Sequence, residues 1–189
     1  MDGDKWLIAG LGNPGSEYAK TRHNAGFDVI DLLAEDLSAN YWKSDCNSMV
    51  AKCKFQGDEV MLAKPMEFMN LSGKPVCALL KKYGIDKEHL IVIHDDLDIP
   101  EGSVRIKFSS GHGCQKGVRS IIDTLGSKSF YQVKVGIGRP PGRMPVSSYV
   151  LQEPKGDSLD LFVGAVLEAK DLVLFFLENG IQKTQSKFN

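Results

Sequence analysis

The chain has 189 residues, of which 42% are hydrophobic and 25% charged, with a formal net charge of −1 at pH 7. This composition is that of an ordinary globular protein and excludes a disordered or fibrous chain. No apolar run approaches the roughly 20 residues that span a bilayer, and the acidic start of the chain is unlike an export signal. The four cysteines form no CxxC pair, which favours free thiols in a reducing cytosol. We therefore expect a cytoplasmic protein without a membrane segment.

Strand and helix patterns alternate along the chain. Short apolar or alternating runs predict strands, whereas apolar residues three and four apart predict helices. In chain order the predicted elements are a strand at 6–12, a helix from Asn24 to about residue 37, strands at 48–55 and 59–63, a helix at 72–83, strands at 90–94 and 104–108, a helix at 115–125, a strand at 131–137 and a helix at 158–178. Asn24 is the expected N-cap of the first helix.

The order of these elements predicts the fold class. Strands interleaved with helices are typical of an α/β fold, in which helices cover both faces of a central sheet. The short connection Gln56-Gly57-Asp58 predicts a hairpin, so the sheet should be mixed rather than purely parallel. No linker or repeat divides the chain. We therefore expect a three-layer single domain over residues 1–189.

Charge is distributed unevenly although the total is close to zero. Residues 103–143 contain eight basic residues and one acid, a local balance of +7, whereas residues 151–180 contain six acids and two lysines. The basic residues of the first segment are Arg105, Lys107, Lys116, Arg119, Lys128, Lys134, Arg139 and Arg143. Such a concentration suits a phosphate backbone, but it is equally compatible with a solvated surface that has no partner.

A glycine pattern near the N-terminus is similar to a dinucleotide-binding fingerprint. Residues 10–15 read GLGNPG after a predicted strand and match G-x-G-x-x-G. In a dinucleotide site a helix begins within this turn, and an acidic residue on the next strand follows about 20 residues later. Here the amphipathic helix begins only near Asn24, and Asp36 falls inside the helical pattern. These differences argue against nucleotide binding.

His23 is a candidate for base catalysis near neutral pH. It follows a turn rich in glycine and proline and precedes the first predicted helix, so we expect it on a loop. A histidine between polar neighbours on a loop has little structural purpose, and imidazole suits the role of a general base. The cluster at residues 94–98, with one histidine and three aspartates, could alternatively hold a divalent metal. No second acidic cluster completes such a site, so we expect no metal.

Five segments rich in glycine, asparagine, histidine and aspartate occur along the chain. They are GLGNPGSEYAKTRHNAG at 10–26, FMNLSG at 68–73, HDDLDIP at 94–100, GHG followed by Gly117 at 111–117, and VGIGRP at 135–140. Their sequences, order and spacing resemble the motifs of the bacterial-type peptidyl-tRNA hydrolase family. The resemblance implies a monomeric α/β enzyme without cofactor that hydrolyses the ester between a peptide, or an N-blocked amino acid, and tRNA. The alternative is a noncatalytic tRNA- or RNA-binding relative of the same fold.

The resemblance also implies roles for individual residues. His23 is the expected base, and Asp95, at the end of the most apolar strand, is expected to hold its imidazole. Asn13 is expected to act with them by binding a carbonyl or orienting the attacking water. The residues expected to contact the substrate or the tRNA are Tyr18, Phe68, Asn70, Arg105, Lys107, Lys116 and Lys134, with Arg143 as a further candidate.

One segment departs from the family pattern. After Gly113 the family usually continues Gly-His-Asn-Gly, with the asparagine binding substrate or water, whereas this chain has Cys114-Gln115-Lys116-Gly117. The lysine adds a charge and removes an amide. We therefore expect Lys116 to contact the 3′-terminal phosphate or the ester carbonyl instead. The role of Gln115 does not follow from the sequence.

Overall fold

The computed structural model describes residues 3–189, in which seven strands form one mixed sheet. The strands are β1 (Lys5–Gly10), β2 (Trp42–Asp45), β3 (Ser48–Phe55), β4 (Asp58–Pro65), β5 (Leu90–Asp96), β6 (Val104–Phe108) and β7 (Tyr131–Gly136). Their order across the sheet is β2-β3-β4-β1-β5-β7-β6. The pairs β1–β4, β1–β5 and β5–β7 are parallel, whereas β2–β3, β3–β4 and β6–β7 are antiparallel. The predicted mixed sheet and hairpin are confirmed.

Helices cover both faces of this sheet. They are α1 (Ala25–Asp36), α2 (Gly73–Tyr83), α3 (Lys116–Leu125), α4 (Val146–Val150), α5 (Asp157–Asn179) and α6 (Ile181–Phe188). Neighbouring residues of β5 point to opposite faces, so Ile93 joins an apolar cluster with α1 and α5, and Val92 joins another with α2 and α3. The predicted three layers are confirmed. No helix within residues 3–189 is long and apolar enough to cross a membrane.

Some boundaries and elements differ from those predicted. β5 extends to Asp96, two residues beyond the predicted end, because Asp95 and Asp96 still pair with β7. Three elements were not predicted, namely β2, α4 and α6. β2 is a short polar edge strand, α4 has only five residues, and α6 contains two apolar residues among polar ones. Elements of this length and polarity carry too little hydrophobic periodicity to be recognised from sequence.

The C-terminal helix covers the free edge of β6. The side-chain Oδ1 of Asn189 accepts a hydrogen bond from the Ile106 amide at 2.9 Å, and its Nδ2 donates to the Ile106 carbonyl at 2.9 Å. The Gln185 side chain donates to the same carbonyl at 3.1 Å. These side chains satisfy backbone groups that an edge strand would otherwise leave open to another chain.

Two glycines let α1 pack directly on the sheet. A Cβ on Gly26 would lie 2.3 Å from the Leu11 nitrogen and 2.4 Å from the Ile93 carbonyl oxygen, and a Cβ on Gly10 would lie 2.1 Å from the Gly26 oxygen. Only glycine permits this approach, which brings His23, two residues before α1, to the end of β5. The chain after Gly10 forms two 3-10 turns rather than a dinucleotide-binding helix. Packing against α1 accounts for Gly10 and Gly12 of the apparent pattern, and Gly15 has a φ of 111°.

Candidate active site

A cleft of about 640 Å³ opens at the edge of the sheet where β1 and β5 end. This is the edge at which α/β proteins usually build their sites. Side chains reach the cleft from the loop after β1, the 3-10 turns Arg22–Asn24 and Met69–Leu71, the end of β5, the segment that leads into α3, and α4. The predicted site residues in its lining are Asn13, His23, Phe68, Asn70, Asp95 and Lys116.

His23 and Asp95 form a hydrogen-bonded pair at the base of the cleft. The His23 Nδ1 lies 2.9 Å from Oδ2 and 3.1 Å from Oδ1 of Asp95. The two side chains are 12% and 3% exposed. An ionised carboxylate only accepts hydrogen bonds, so the His23 Nδ1 carries the proton and donates it to Asp95. In the neutral imidazole this leaves the lone pair on Nε2, which is the arrangement that a general base requires.

The environment of Asp95 favours its ionised form. Burial by itself raises the pKa of this carboxyl group. The nearby charge of His23 and the hydrogen bonds from His23 and Gln115 outweigh burial and hold the pKa of Asp95 below its usual value. Asp95 is therefore a carboxylate at neutral pH, able to orient His23 and to stabilise its protonated form.

Asn24 holds Asn13 in place instead of capping α1. It occupies the predicted N-cap position, but its side chain makes no capping hydrogen bond. Its Oδ1 accepts from the Asn13 amide at 2.8 Å, and its Nδ2 donates to the Asn13 carbonyl at 2.9 Å. The Asn13 Oδ1 in turn accepts from the Met69 amide at 2.7 Å. The Asn13 Nδ2 is therefore available to donate a hydrogen bond to a ligand in the cleft.

The family model described as Peptidyl-tRNA hydrolase matches residues 7–189. The chain belongs to this family. The peptidyl-tRNA hydrolase of Lactococcus lactis subsp. lactis is 44% identical over 185 residues, which cover 97% of this chain and 98% of that protein. The peptidyl-tRNA hydrolase of Frankia alni is 43% identical over 188 residues, covering 100% and 95% of the two chains.

A solved structure agrees with this assignment. The crystal structure of peptidyl-tRNA hydrolase from Acinetobacter baumannii superposes on this chain with a TM-score of 0.90. The two proteins are 34% identical, and the superposition covers 99% of this chain and 95% of the other. The predicted family and fold class are therefore confirmed.

Gln115 is a site residue to which the sequence assigned no role. Its side chain is buried, with 7% exposure, at the N-terminus of α3. The Nε2 donates to Oδ1 of Asp95 at 3.0 Å and also lies 3.3 Å from the Met69 sulfur. The Oε1 accepts from the Val118 amide at 2.9 Å and so caps α3. The sequence placed Gln115 at the start of the predicted helix 115–125, but nothing there indicated the contact with Asp95.

The mouth of the cleft combines apolar walls with a single positive charge. Phe68 is 57% exposed, and Val146 and Leu151, which also line the cleft, are 40% and 44% exposed. Lys116 is exposed and, within residues 3–189, has no acidic side chain within 4.0 Å. Tyr18 is half-buried and lies outside the lining of the cleft, although the sequence placed it beside the substrate.

The basic residues of segment 103–143 differ in how far the fold exposes them. Lys134 is only 7% exposed. Its ammonium group lies 3.7 Å from Asp96 and donates to Ser110 at 3.0 Å. Burial lowers the pKa of Lys134, partly offset by the charge of Asp96. Arg105 is half-buried and donates to a backbone carbonyl, whereas Lys107 is exposed. The inward position of Lys134 follows from its strand register, which only the folded sheet defines.

The aspartate carboxylates of residues 94–98 are bound by other side chains and by a backbone amide of the protein. Asp96 faces Lys134 and accepts from the Asp98 amide at 2.7 Å, and the Asp98 carboxylate pairs with Arg139. Asp95 is held by His23 and Gln115, as described above. In the part of the chain that the structure describes, no group of three or more histidine, cysteine, aspartate or glutamate side chains is arranged to hold a metal ion.

Proposed function

We propose that this protein hydrolyses the ester bond between a peptide, or an N-blocked amino acid, and tRNA. The observation that carries the proposal is the pair of His23 and Asp95, joined at 2.9 Å in a cleft that is open to solvent. Membership of the peptidyl-tRNA hydrolase family, matched over residues 7–189, also supports the proposal. The same geometry offers no reason to favour a noncatalytic RNA-binding protein.

His23 acts as a general base on water in the proposed mechanism. Its Nε2 takes a proton from a water molecule, and the water oxygen bonds to the ester carbonyl carbon while the C=O electron pair moves to oxygen. When this intermediate collapses, the bond between the carbonyl carbon and the tRNA oxygen breaks. The imidazolium returns its proton to that leaving oxygen. Asp95 stabilises the imidazolium throughout, and no covalent bond to the enzyme forms.

Two amides complete the proposed reacting site. Because the Asn13 Oδ1 is occupied by the Met69 amide, its Nδ2 is available to donate to the carbonyl oxygen as negative charge develops there. A donor aimed at such an oxygen typically lowers the barrier by about 3 kcal/mol. Asn70 is exposed in the cleft lining and can orient the substrate or the water. Phe68 offers an exposed aromatic surface to the substrate end. Tyr18 lies outside the cleft lining, and its proposed contact with the substrate end rests on the family resemblance alone.

The tRNA is proposed to bind along the exposed basic side chains of segment 103–143. Lys107, Lys128 and Arg143 are exposed, and in residues 3–189 none has an ion-pair partner within 4.0 Å. Such cations bind phosphates without reading base sequence. Arg105 and Lys134 are less accessible, so we assign the larger share of phosphate binding to the exposed residues. We also propose that the protein acts as a cytoplasmic monomer of one domain, which the family resemblance supports.

Turnover of a blocked aminoacyl-tRNA tests this function directly. Release of N-acetyl amino acid from N-acetyl-aminoacyl-tRNA should be catalytic in enzyme, while unblocked aminoacyl-tRNA should be hydrolysed more slowly. Binding of uncharged tRNA is measured in parallel. Absence of turnover together with intact tRNA binding would refute the hydrolase and support the RNA-binding alternative.

Replacement of Lys107 by alanine should raise KM roughly threefold to tenfold while kcat stays within about twofold. Lys107 is an exposed cation outside the lining of the cleft, so its loss should remove phosphate binding alone. The salt dependence of log KM should also become shallower by about one phosphate contact. Lys81→Ala, at an exposed lysine of α2 outside the basic segment, is the control. A fall in kcat with KM unchanged would contradict a role limited to binding.

Replacement of Lys116 by asparagine should weaken substrate binding, with KM rising roughly threefold to tenfold at low salt. The reason is that Lys116 brings an unpaired charge to the lining of the cleft, where an anionic phosphate or a polarised carbonyl can be bound. The difference from the parent protein should shrink as salt screens the charge. Lys116→Arg keeps the charge and should retain most of the affinity. If Lys116→Asn changes neither tRNA affinity nor turnover, the proposed contact is wrong.

A further inference from the structure

We propose that Gln115 is a positioning residue that holds the Asp95 carboxylate against His23, a role that rests on the proposed hydrolase function. Within residues 3–189, His23 and Gln115 are the two side chains that donate hydrogen bonds to this carboxylate. They approach it from different elements, the 3-10 turn before α1 and the N-terminus of α3. Gln115 therefore links the catalytic pair to the N-terminus of α3.

The structure determines which end of the Gln115 amide meets Asp95. The Val118 amide is a donor, so the atom that faces it at 2.9 Å must be the acceptor Oε1. This leaves Nε2 at 3.0 Å from the Asp95 Oδ1, where a donor is required. The reversed amide would place two donors together at one end and two acceptors at the other. Capping of α3 thus locks the side chain in the orientation that serves Asp95.

The hydrogen bond from Gln115 restrains Asp95, the carboxylate that orients the His23 base. Asp95 is only 3% exposed, so water cannot readily replace a lost partner. Without Gln115, Oδ1 would lack its donor from α3 and the carboxylate plane could rotate away from the His23 Nδ1. Misplacement of a catalytic group by about 1 Å can lower the rate on the order of a hundredfold.

Glutamine also supplies this contact without titrating. The family pattern usually has a histidine at this position, whose donor capacity changes with its protonation, whereas the amide of Gln115 is neutral over the whole range of enzyme assays. In this chain the restraint on Asp95 is therefore independent of pH.

Gln115→Ser separates positioning from helix capping. Serine is a good N-cap and can still accept from the amides of α3, but its side chain is too short to reach Asp95. If Gln115 positions Asp95, kcat should fall on the order of tenfold to a hundredfold while KM and the thermal unfolding temperature stay nearly unchanged. If Gln115 only caps the helix, the variant should retain kcat within about twofold, and the proposal is overturned.

Gln115→Glu provides a second variant with a distinct pH signature. It keeps the acceptor for the Val118 amide, and when protonated it can donate to Asp95 as the amide does. When ionised it places a second negative charge beside Asp95 and removes the donor. Its kcat relative to the parent protein should therefore fall as pH rises. A ratio that does not change with pH would overturn the proposal. Gln182→Glu, which adds the same charge at an exposed position of α6, should show a flat ratio.

A spectroscopic measurement does not depend on turnover. The single variant Asp95→Asn, which retains Gln115, should show side-chain amide NMR signals of Gln115 shifted from those of the parent protein. The reason is that their hydrogen-bond acceptor changes from a carboxylate to a neutral amide. Unchanged signals would show that the contact is not formed in solution, even if both position 115 variants fail to fold. Absence of turnover in the parent protein would refute the proposed function instead, while an intact NMR effect would leave the contact established.

Discussion

His23→Ala is expected to lower kcat by about 10²- to 10⁴-fold, the contribution typical of a positioned general base. The imidazole is the basic group in the cleft that is paired with a buried carboxylate, and alanine leaves water without an acceptor for its proton. KM should change little, since the bulk of tRNA binding is assigned to the basic side chains outside the cleft. Single-turnover release of N-acetyl amino acid measures the chemical step directly.

The matched control for this variant is His89→Ala. His89 precedes β5 at the end of the strand opposite Asp95, where its ring packs against Trp6 at 4.7 Å between centroids. Its loss removes a histidine without touching the cleft, so activity per folded molecule should be retained. If His23→Ala keeps kcat within about threefold while remaining folded, the base is another group and the mechanism proposed above is wrong.

Asp95→Asn is expected to lower kcat by as much as about 10⁴-fold while leaving the fold intact. The substituted amide has one acceptor and one donor end. Because Gln115 Nε2 donates at 3.0 Å, the acceptor end should turn toward Gln115 and the donor end toward the His23 Nδ1. The neutral imidazole would then carry its proton on Nε2, the nitrogen that has to accept a proton from water. The variant should therefore hold the wrong tautomer of a histidine that is still in place.

Two measurements check this expectation. Single-turnover kcat measures the loss of the chemical step, and ¹⁵N chemical shifts of the His23 ring should show which nitrogen carries the proton. Asp98→Asn is the control, because Asp98 is exposed, pairs with Arg139 and lies outside the cleft lining. Retention of the parent kcat within about tenfold in Asp95→Asn would mean that the carboxylate does not orient the base.

The Gln115 contact and the tautomer argument depend on each other. In the double variant Gln115→Ser, Asp95→Asn, the substituted amide at position 95 is no longer held by Gln115 and can turn. The fall in kcat should then be smaller than the product of the two single-variant reductions. The two substitutions would then be non-additive, as expected for residues that act on the same carboxylate. Additive effects would indicate that Gln115 and Asp95 influence turnover separately.

Much of the architecture was determined by the sequence by itself. Hydrophobic periodicity located the strands from β3 to β7 and the helices α2, α3 and α5, because each has enough apolar residues at one spacing to show which face is buried. The hairpin at Gln56-Gly57 required a mixed sheet. Motif resemblance added the family, which the comparisons confirm, and selected His23 and Asp95 although they lie 72 positions apart in the chain.

Only the tertiary structure decided how these residues are used. Asn24 looked like a helix cap but holds Asn13, and Lys134 looked like a surface cation but is buried beside Asp96. Gln115 was predicted only as the first residue of a helix, yet it donates to Asp95. The physical reason is common to all three cases. A polar side chain can satisfy its hydrogen bonds in many ways, and the partner it takes is set by long-range packing rather than by its neighbours in sequence.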